Sequence, residues 1–318
     1  MAHDHTDAPA GPRARWPELP HESWEQTRHA LHMWTQIIGK VRMELGPWIN
    51  HSWGVVLYVT ARGLTTGPVH HGTGVLQIDV DLLEHRLSVA AGDGWREELP
   101  LRPRSVASFH EELFETLARL EVDVAIDPDP QEIEDPVPFP DDHEHRSYDP
   151  AHAEALWRAF VQADRVLREF RARFIGKCSP VHYFWGAMDL AVTRFSGREA
   201  PEHPGGIPNM PDEIAREAYS HECCSAGFWP GNADAPEPFF YSHAWPEPDG
   251  FREADVRPGA AGYSEELGEW VLPYAAVRTA DDPDAVLLDF LQGAWEAAAD
   301  LGGWDREALE RPAGWRPL

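Results

Sequence analysis

The sequence predicts an α+β protein made of two similar halves, each with the order helix, four antiparallel strands, helix. Helical apolar stripes, short alternating or β-branched segments between them, and recurrence of the same order on either side of a Pro- and Asp-rich segment all point to this plan. The recurrence also predicts an internal duplication with a pseudo-twofold arrangement, in which the halves pack like the subunits of a fused dimer.

The first half begins with a helix predicted at about 23–45. Ser23 and Gln26 form a capping box, an apolar stripe follows, and a Gly-Pro pair stops the pattern. A second helix is predicted at about 105–120. The strand candidates between these helices are β-branched, aromatic or alternating, and comprise 53–60, 75–82, 86–90 and 95–101.

The second half repeats this order. A helix is predicted from Pro150, which suits a first helical position, to Gly176, and a last helix from Pro283 to Gly302. The strands predicted between them are 184–195, 217–228, 238–245 and 269–273. The predicted organisation is a flexible tail at 1–15, an N-terminal repeat at 16–126, a Pro- and Asp-rich linker at 127–148, a C-terminal repeat at 149–310 that holds the candidate site, and a tail at 311–318.

Composition limits the classes of partner. The formal net charge is −27, which predicts repulsion from nucleic-acid phosphates and from anionic lipid surfaces. We therefore expect no nucleic-acid partner and no membrane partner. The chain has three cysteines, no apolar run of transmembrane length and no apolar signal segment at its start, a pattern typical of a cytoplasmic protein.

Three polar and aromatic stretches of the second half hold the candidate catalytic residues, which are His182, Asp189, His221 and Glu222. On a regular strand Asp189 would share a face with two alanines, and such small neighbours leave space in front of a carboxylate. The competing interpretation is an aspartate paired with backbone or arginine, because buried charges are normally paired.

The same stretches suggest a metal site. If 217–228 pairs with 238–245, then His221 and His243 could meet, and with His182 or Asp189 they would form a ligand set for a divalent metal cofactor. The competing interpretation is ordinary strand histidines satisfied by hydrogen bonds. The chain contains no H-E-x-x-H and no C-x-x-C zinc pattern.

Aromatic and basic residues are candidates for ligand binding. Trp185, Tyr219 and Trp229 could line a pocket, although core packing is the alternative. Arg62 and Arg194 follow corresponding strands and could clamp a carboxylate or phosphate, or serve as internal counter-ions. Lys177, one of only two lysines, could bind an anion or act in acid–base chemistry, or simply face a helix C-terminal dipole.

Two functional hypotheses remain. The first is an enzyme that acts on a small polar molecule, with metal assistance as one variant. The alternative is a non-catalytic module that binds a small molecule or a partner in an aromatic-walled pocket. Nucleophile-elbow, P-loop and dinucleotide-binding patterns are absent from the sequence, which argues against hydrolases, NTPases and Rossmann enzymes.

Several segments resemble a bacterial family known as domain of unknown function 5996. The resemblance covers about residues 16–310 and is carried by 31–53, 57–66, 99–109, 171–198 and 218–231. It implies a bacterial cytosolic protein, and it implies no activity, cofactor, substrate or catalytic residue.

Overall fold

The computed structural model describes residues 15–19, 21–207, 209–233 and 235–312. The predicted tails at 1–15 and 311–318 therefore lie largely outside the described residues. These described residues form seven α-helices and twelve strands in two antiparallel sheets, an α+β fold. The helices are α1 (His21–Leu45), α2 (Val106–Arg119), α3 (Pro150–Ala172), α4 (Asp212–Ala218), α5 (Tyr274–Arg278), α6 (Pro283–Leu301) and α7 (Arg306–Leu309).

The first sheet has the strand order β1-β2-β4-β5-β6, with β3 paired to β4. Its strands are β1 (Tyr58–Val59), β2 (Gly63–Thr65), β3 (Val69–His71), β4 (Gly74–Asp81), β5 (Arg86–Ala91) and β6 (Arg96–Pro100). Alternation along β4 buries Leu76, Ile78 and Val80 on one face. Helices α1 and α2 pack together through Trp34 and Phe109, whose rings stack with centroids 4.9 Å apart.

The second sheet has the order β11-β12-β10-β9-β8-β7. Its strands are β7 (His182–Phe184), β8 (Asp189–Glu199), β9 (His221–Trp229), β10 (Phe239–Trp245), β11 (Gly262–Ser264) and β12 (Glu269–Pro273). Helices α3 and α6 contact β8, β9 and β10. The two sheets meet edge to edge, because the backbone groups of Leu57 and Tyr183 exchange hydrogen bonds of 2.9 and 2.8 Å.

The main helices match their predicted positions, but the strand count is six in each sheet instead of four. Of the segment 53–60 only Tyr58 and Val59 are strand residues, since the chain turns at 53–55. The segment 184–195 contains a hairpin turn at 185–188, where Met188 has a positive φ of 65°. The segment 217–228 starts as the end of α4, a helix that the sequence analysis missed. The internal duplication stays a prediction.

The segment 127–148 has no helix or strand beyond an isolated bridge at Arg146. It packs along α1, where the buried Lys40 ammonium lies 3.3 Å from Asp127 Oδ2 and donates a 2.8 Å hydrogen bond to the Asp129 carbonyl. The Gln36 side-chain amide both donates to and accepts from the Gln131 backbone, at 3.0 and 2.8 Å. The segment therefore continues the packing of α1. None of the described helices is long and apolar enough to cross a membrane.

Candidate functional site

A cavity of about 770 Å³ lies on the face of the second sheet that α3 and α6 leave open. Strands β8, β9, β10 and β12 form its floor, α1 and residues 131–133 form one wall, and residues near α4 lie at another side. The antiparallel registers place Ala191, Gly227 and Tyr241 side by side on this face. The cavity thus joins sequence regions that are more than a hundred positions apart.

Two carboxyl groups from separate elements face the cavity. Asp189 begins β8, is buried, and accepts a short hydrogen bond from the Tyr241 hydroxyl. Burial raises the pKa of Asp189 to about 6, with the Glu269 charge adding to the rise while the Tyr241 hydrogen bond opposes it. The same burial raises the pKa of Tyr241 well above its ordinary range.

Glu132 is the second of these carboxyl groups. Burial raises its pKa to about 7, and the charge of Asp189 adds to the effect. Its backbone is left-handed, with φ 58°, a conformation that non-glycine residues rarely adopt. Its carboxyl group packs directly on Gly186, where an added Cβ would lie 1.9 Å from Oε1. Within the described ranges no hydrogen bond reaches the Glu132 side chain.

A hydrogen-bonded series of side chains continues along the floor. The Tyr219 hydroxyl lies 3.2 Å from Nε2 of His243, and Nδ1 of His243 lies 3.4 Å from Oε2 of Glu269. The imidazole also stacks on Tyr241, with centroids 6.0 Å apart. Burial raises the pKa of Tyr219, so its hydroxyl stays protonated at neutral pH and can donate a proton in a hydrogen bond.

The α1 wall presents Arg28, His29 and His32. The Arg28 guanidinium is buried and binds Glu25 at 3.0 Å. Nε2 of His32 lies 2.7 Å from the Gly186 carbonyl, which can only accept, so this nitrogen carries the proton. Burial lowers the pKa of His32 to about 4 and that of His29 to about 3, so both imidazoles are neutral at pH 7.

The cavity brings together only part of the predicted site. Asp189, Trp185, Tyr219, Trp229 and His243 line it. The indoles of Trp185 and Trp229 donate to the carbonyls of Val55 and Ala187, at 2.8 and 3.0 Å, which fixes both rings.

The other predicted catalytic residues lie elsewhere. His182 is buried in β7, with Nδ1 2.8 Å from the Pro180 carbonyl. Glu222 accepts hydrogen bonds from Ser196 and Arg198, both at 2.8 Å, away from the cavity. His221 packs 6.1 Å from His51, between ring centroids.

The predicted metal set does not converge. Strands β9 and β10 do pair, but Ser225 lies opposite His243, which leaves His221 four residues along the strand, about 13 Å away. No group of three His, Cys, Asp or Glu side chains among the described residues is arranged to hold a metal ion.

The predicted basic ligands bind the protein itself. Arg62 pairs with Asp81 at 2.6 Å and with Glu84 at 3.3 Å on the first sheet. Arg194 is buried on the helix-covered face of the second sheet, 3.4 Å from the Phe170 ring centroid, so the two arginines do not form a clamp. Lys177 lies 2.6 Å from Nε2 of His51, whose Nδ1 faces the Ala218 carbonyl at 2.8 Å.

Residues of α1 and of the segment 127–148 also line the cavity, and none of them was among the predicted site residues. The sequence contains a signal for this face, because Arg28, His32, Gln36 and Lys40 recur every four positions along α1. Side chains at this spacing lie on one helix face. That face contacts the cavity through its first two members and anchors residues 127–131 through the last two.

Comparison with known proteins gives a single family. No curated protein and no solved structure matches the chain. Residues 16–311 match a family of unknown function, DUF5996. Because this match spans nearly the whole chain, the protein belongs to the DUF5996 family.

Proposed function

We propose that this protein is an enzyme that transfers protons to and from a small molecule bound in the cavity, with Glu132 as the principal acid–base group. One observation carries the proposal: Glu132 directs a carboxyl group without a hydrogen-bond partner among the described residues toward a cavity that also contains Asp189. Glu132 is half-buried, and a carboxyl group that loses water without gaining a hydrogen-bond partner is costly to the fold. Such groups concentrate at functional sites.

The ionisation of Glu132 suits this role. With a pKa of about 7, the carboxyl group is present in both forms near neutral pH. Proton transfer is most effective when the pKa lies near the working pH. The left-handed backbone at Glu132 and the two hydrogen bonds between Gln36 and the preceding residue hold the group in place. Local strain that is maintained by neighbouring contacts is typical of functional sites.

The floor of the cavity supplies further donors. Tyr219 and Tyr241 keep their hydroxyl protons at neutral pH, and each is held by a neighbouring acceptor, His243 or Asp189. Each hydroxyl has a single proton and already donates it, so it stabilises charge on a substrate oxygen only when that oxygen replaces His243 or Asp189 as the acceptor. We assign Asp189 the role of a second proton acceptor and His243 with Glu269 the role of orienting Tyr219.

The broader context of the proposal is a bacterial cytoplasmic protein that arose by duplication of a helix–sheet–helix unit. The unpaired state of Cys178, Cys223 and Cys224 supports a reducing compartment. The similar order of elements in the two halves supports the duplication. In this arrangement the cavity uses the open face of one sheet and the first helix of the other half.

The second candidate is a non-catalytic binding module. The fixed indoles of Trp185 and Trp229 favour it, because rigid aromatic walls bind ligands without any chemistry. The two candidates differ in what they require of Glu132. Binding alone does not require a proton acceptor, whereas the proposed enzyme fails without one.

A general probe of carboxylate bases, 5-nitrobenzisoxazole, tests the proposal without knowledge of the substrate. A base removes its ring C–H proton, the N–O bond breaks, and a coloured cyanonitrophenolate forms. We expect the wild-type protein to accelerate this reaction, and Glu132→Gln to lower kcat/KM by about 100-fold. The rate should rise as pH increases through about 7, because only the ionised carboxylate accepts the proton.

The matched control is Glu134→Gln, which removes an exposed carboxylate two positions away. This variant should keep the wild-type rate and pH profile. Equal rates for wild type and Glu132→Gln would contradict the role of Glu132 as a base, and would leave the binding module as the better interpretation of the cavity.

A further inference from the structure

We infer that the ligand of this cavity is an organic cation, an ammonium group carried on an aromatic or aliphatic body. The inference rests on the proposed function in one respect, namely that the cavity binds a small molecule. It adds the chemical class of that molecule, which follows from the charges and the walls.

The charged groups in the cavity do not balance. Four carboxyl groups line it, from Glu25, Glu132, Asp189 and Glu269, against the single guanidinium of Arg28. Arg28 is already paired with Glu25 at 3.0 Å. This pair leaves the remaining three carboxyl groups without a guanidinium or ammonium partner in the cavity lining, so the empty cavity has an excess of negative charge when they are ionised.

Among the described lining residues, His243 is the base that lies beside one of these three carboxyl groups, with Nδ1 3.4 Å from Glu269 Oε2, and no ion pair reaches Glu132 or Asp189. The histidines His29 and His32 are neutral at pH 7, because burial disfavours their charged forms. Neither lysine of the chain lines the cavity. The Lys40 ammonium is bound to Asp127 and Asp129, and Lys177 lies against His51. A positive charge that satisfies Glu132 and Asp189 must therefore arrive with the ligand.

The walls suit a cation as well. Seven aromatic side chains among the described residues line the cavity, those of Trp48, Phe184, Trp185, Tyr219, Trp229, Phe239 and Tyr241. The indole N–H groups of Trp185 and Trp229 are used by backbone carbonyls, so these two rings offer the cavity only their hydrocarbon and π surfaces. Aromatic surfaces with nearby carboxylates are a recognised way to bind ammonium groups. The net charge of −27 also draws cations toward the protein.

Cation binding should be coupled to proton release. An ammonium beside Glu132 and Asp189 favours their ionised forms and lowers both pKa values toward the ordinary range. Tyr241, Glu269 and His243 from the floor and Arg28, His29 and His32 from α1 face the same space. Of these, Arg28 opposes cation binding, but its pairing with Glu25 limits that effect. The affinity for a cation should therefore rise as pH increases through the range about 6 to 7.

Three ligands with one ring system test the inference by calorimetry on the full-length protein. Tryptamine carries an ammonium group, tryptophol a neutral hydroxyl and indole-3-acetate a carboxylate. We expect tryptamine to bind at least about 10-fold more tightly than either of the others, with an advantage that grows as pH rises. This step of about tenfold corresponds to 1.4 kcal/mol.

The double variant Glu132→Gln/Asp189→Asn should reduce this preference to about the level of tryptophol, whereas Glu134→Gln should retain it. The comparison of the three ligands on wild-type protein does not depend on any variant folding. Equal or tighter binding of tryptophol or indole-3-acetate, or no measurable tryptamine binding, would overturn the inference.

The two proposals can fail separately. Accelerated cleavage of 5-nitrobenzisoxazole without a preference for tryptamine would retain the acid–base role and reject the organic cation. A tryptamine preference without cleavage would retain the organic cation and favour the binding module. Failure of both experiments would reject both proposals.

Discussion

Both sheets are antiparallel and six-stranded, but they differ in the face that lies opposite their main packing helices. On the first sheet this face carries charged side chains that pair with one another at the surface, such as Arg86 with Glu98 at 3.3 Å and Arg96 with Glu98 at 2.8 Å. Gln77 satisfies Asp79 in the same way, at 3.0 Å. On the second sheet the corresponding face is covered by α1 and residues 131–133, and none of the described residues forms an ion pair with Asp189.

The difference shows how covering a face changes the behaviour of its acidic groups. Exposed ion pairs are screened by water, and each contributes about 0–1 kcal/mol. Their carboxylates remain ionised because water solvates them. A carboxyl group on a face that other elements cover loses its hydration. If no cation lies beside it, its ionised form is destabilised. The first sheet therefore has a solvated polar surface, whereas the covered face of the second sheet contacts two carboxyl groups, Asp189 in β8 and Glu132 in the covering segment, whose protonation changes near neutral pH.

The largest expected effect is on stability after Asp189→Asn. The folded-state pKa of Asp189 is raised from 3.8 to about 6, so the folded protein binds a proton more readily than the unfolded chain. Stability from this group is therefore fully present below about pH 4 and decreases as pH rises through about 6. Above that range the ionised group costs about 3 kcal/mol, at about 1.4 kcal/mol per pKa unit. We expect the variant to be more stable than wild type by up to this amount at about pH 8.

Urea unfolding at several pH values measures this difference. The advantage of Asp189→Asn should disappear at about pH 4, since the wild-type carboxyl group is then protonated. The control is Asp79→Asn on the exposed face of the first sheet, where we expect a change below about 1 kcal/mol. A variant less stable than wild type at both ends of the pH range would show that Asp189 is stabilised as a carboxylate, contrary to our interpretation.

The next largest expected effect is the loss of stability when a buried cation is removed, compared with the loss when an exposed one is removed. Lys40→Met removes a fully buried ammonium that holds residues 127 and 129 on α1, and Arg96→Met removes an exposed guanidinium of the first sheet. We expect Lys40→Met to lower the free energy of unfolding by about 2 kcal/mol and to speed proteolysis within 127–148. Arg96→Met should change it by less than about 0.5 kcal/mol. Similar losses for the two variants would remove this contrast between buried and exposed cations.

Much of the fold could be predicted because the signals are local. The capping pattern and stripe of α1 predicted a helix at about 23–45, and the structure has His21–Leu45. The alternation in β4 identified its buried face. Residues 185–188 were less accessible to prediction, because their turn lies between two apolar strands and depends on a positive φ at Met188. Helix α4 has only seven residues, too few for a clear periodic pattern.

Among the residues of the candidate site, only those that lie in or beside strands could be predicted from the sequence. Asp189, Tyr219 and Trp229 lie in or beside strands whose polar and aromatic composition is unusual, and all three line the cavity. Glu132 lies in a segment without periodicity, so its position depends on contacts with Gln36 that connect residues 95 positions apart. His221 lies outside the cavity because the pairing of β9 with β10 sets Ser225 opposite His243 and leaves His221 four residues along the strand. Glu222 lies on the opposite face of β9 from Ser225, which lines the cavity.

The smallest expected effect separates the position of Glu132 from its chemistry. Gly186→Ala introduces a Cβ 1.9 Å from Glu132 Oε1, so the carboxyl group must move while the backbone need not. We expect the 5-nitrobenzisoxazole rate to fall about 10-fold, because small displacements of a reacting group are costly. Stability should change by less than about 1 kcal/mol, since the end of a flexible side chain moves easily.

Gly262→Ala, at a site with open space, is the matched control. A wild-type rate in Gly186→Ala would mean that the location of the Glu132 carboxyl group is unimportant, and the contrast between the two sheets would then concern stability alone.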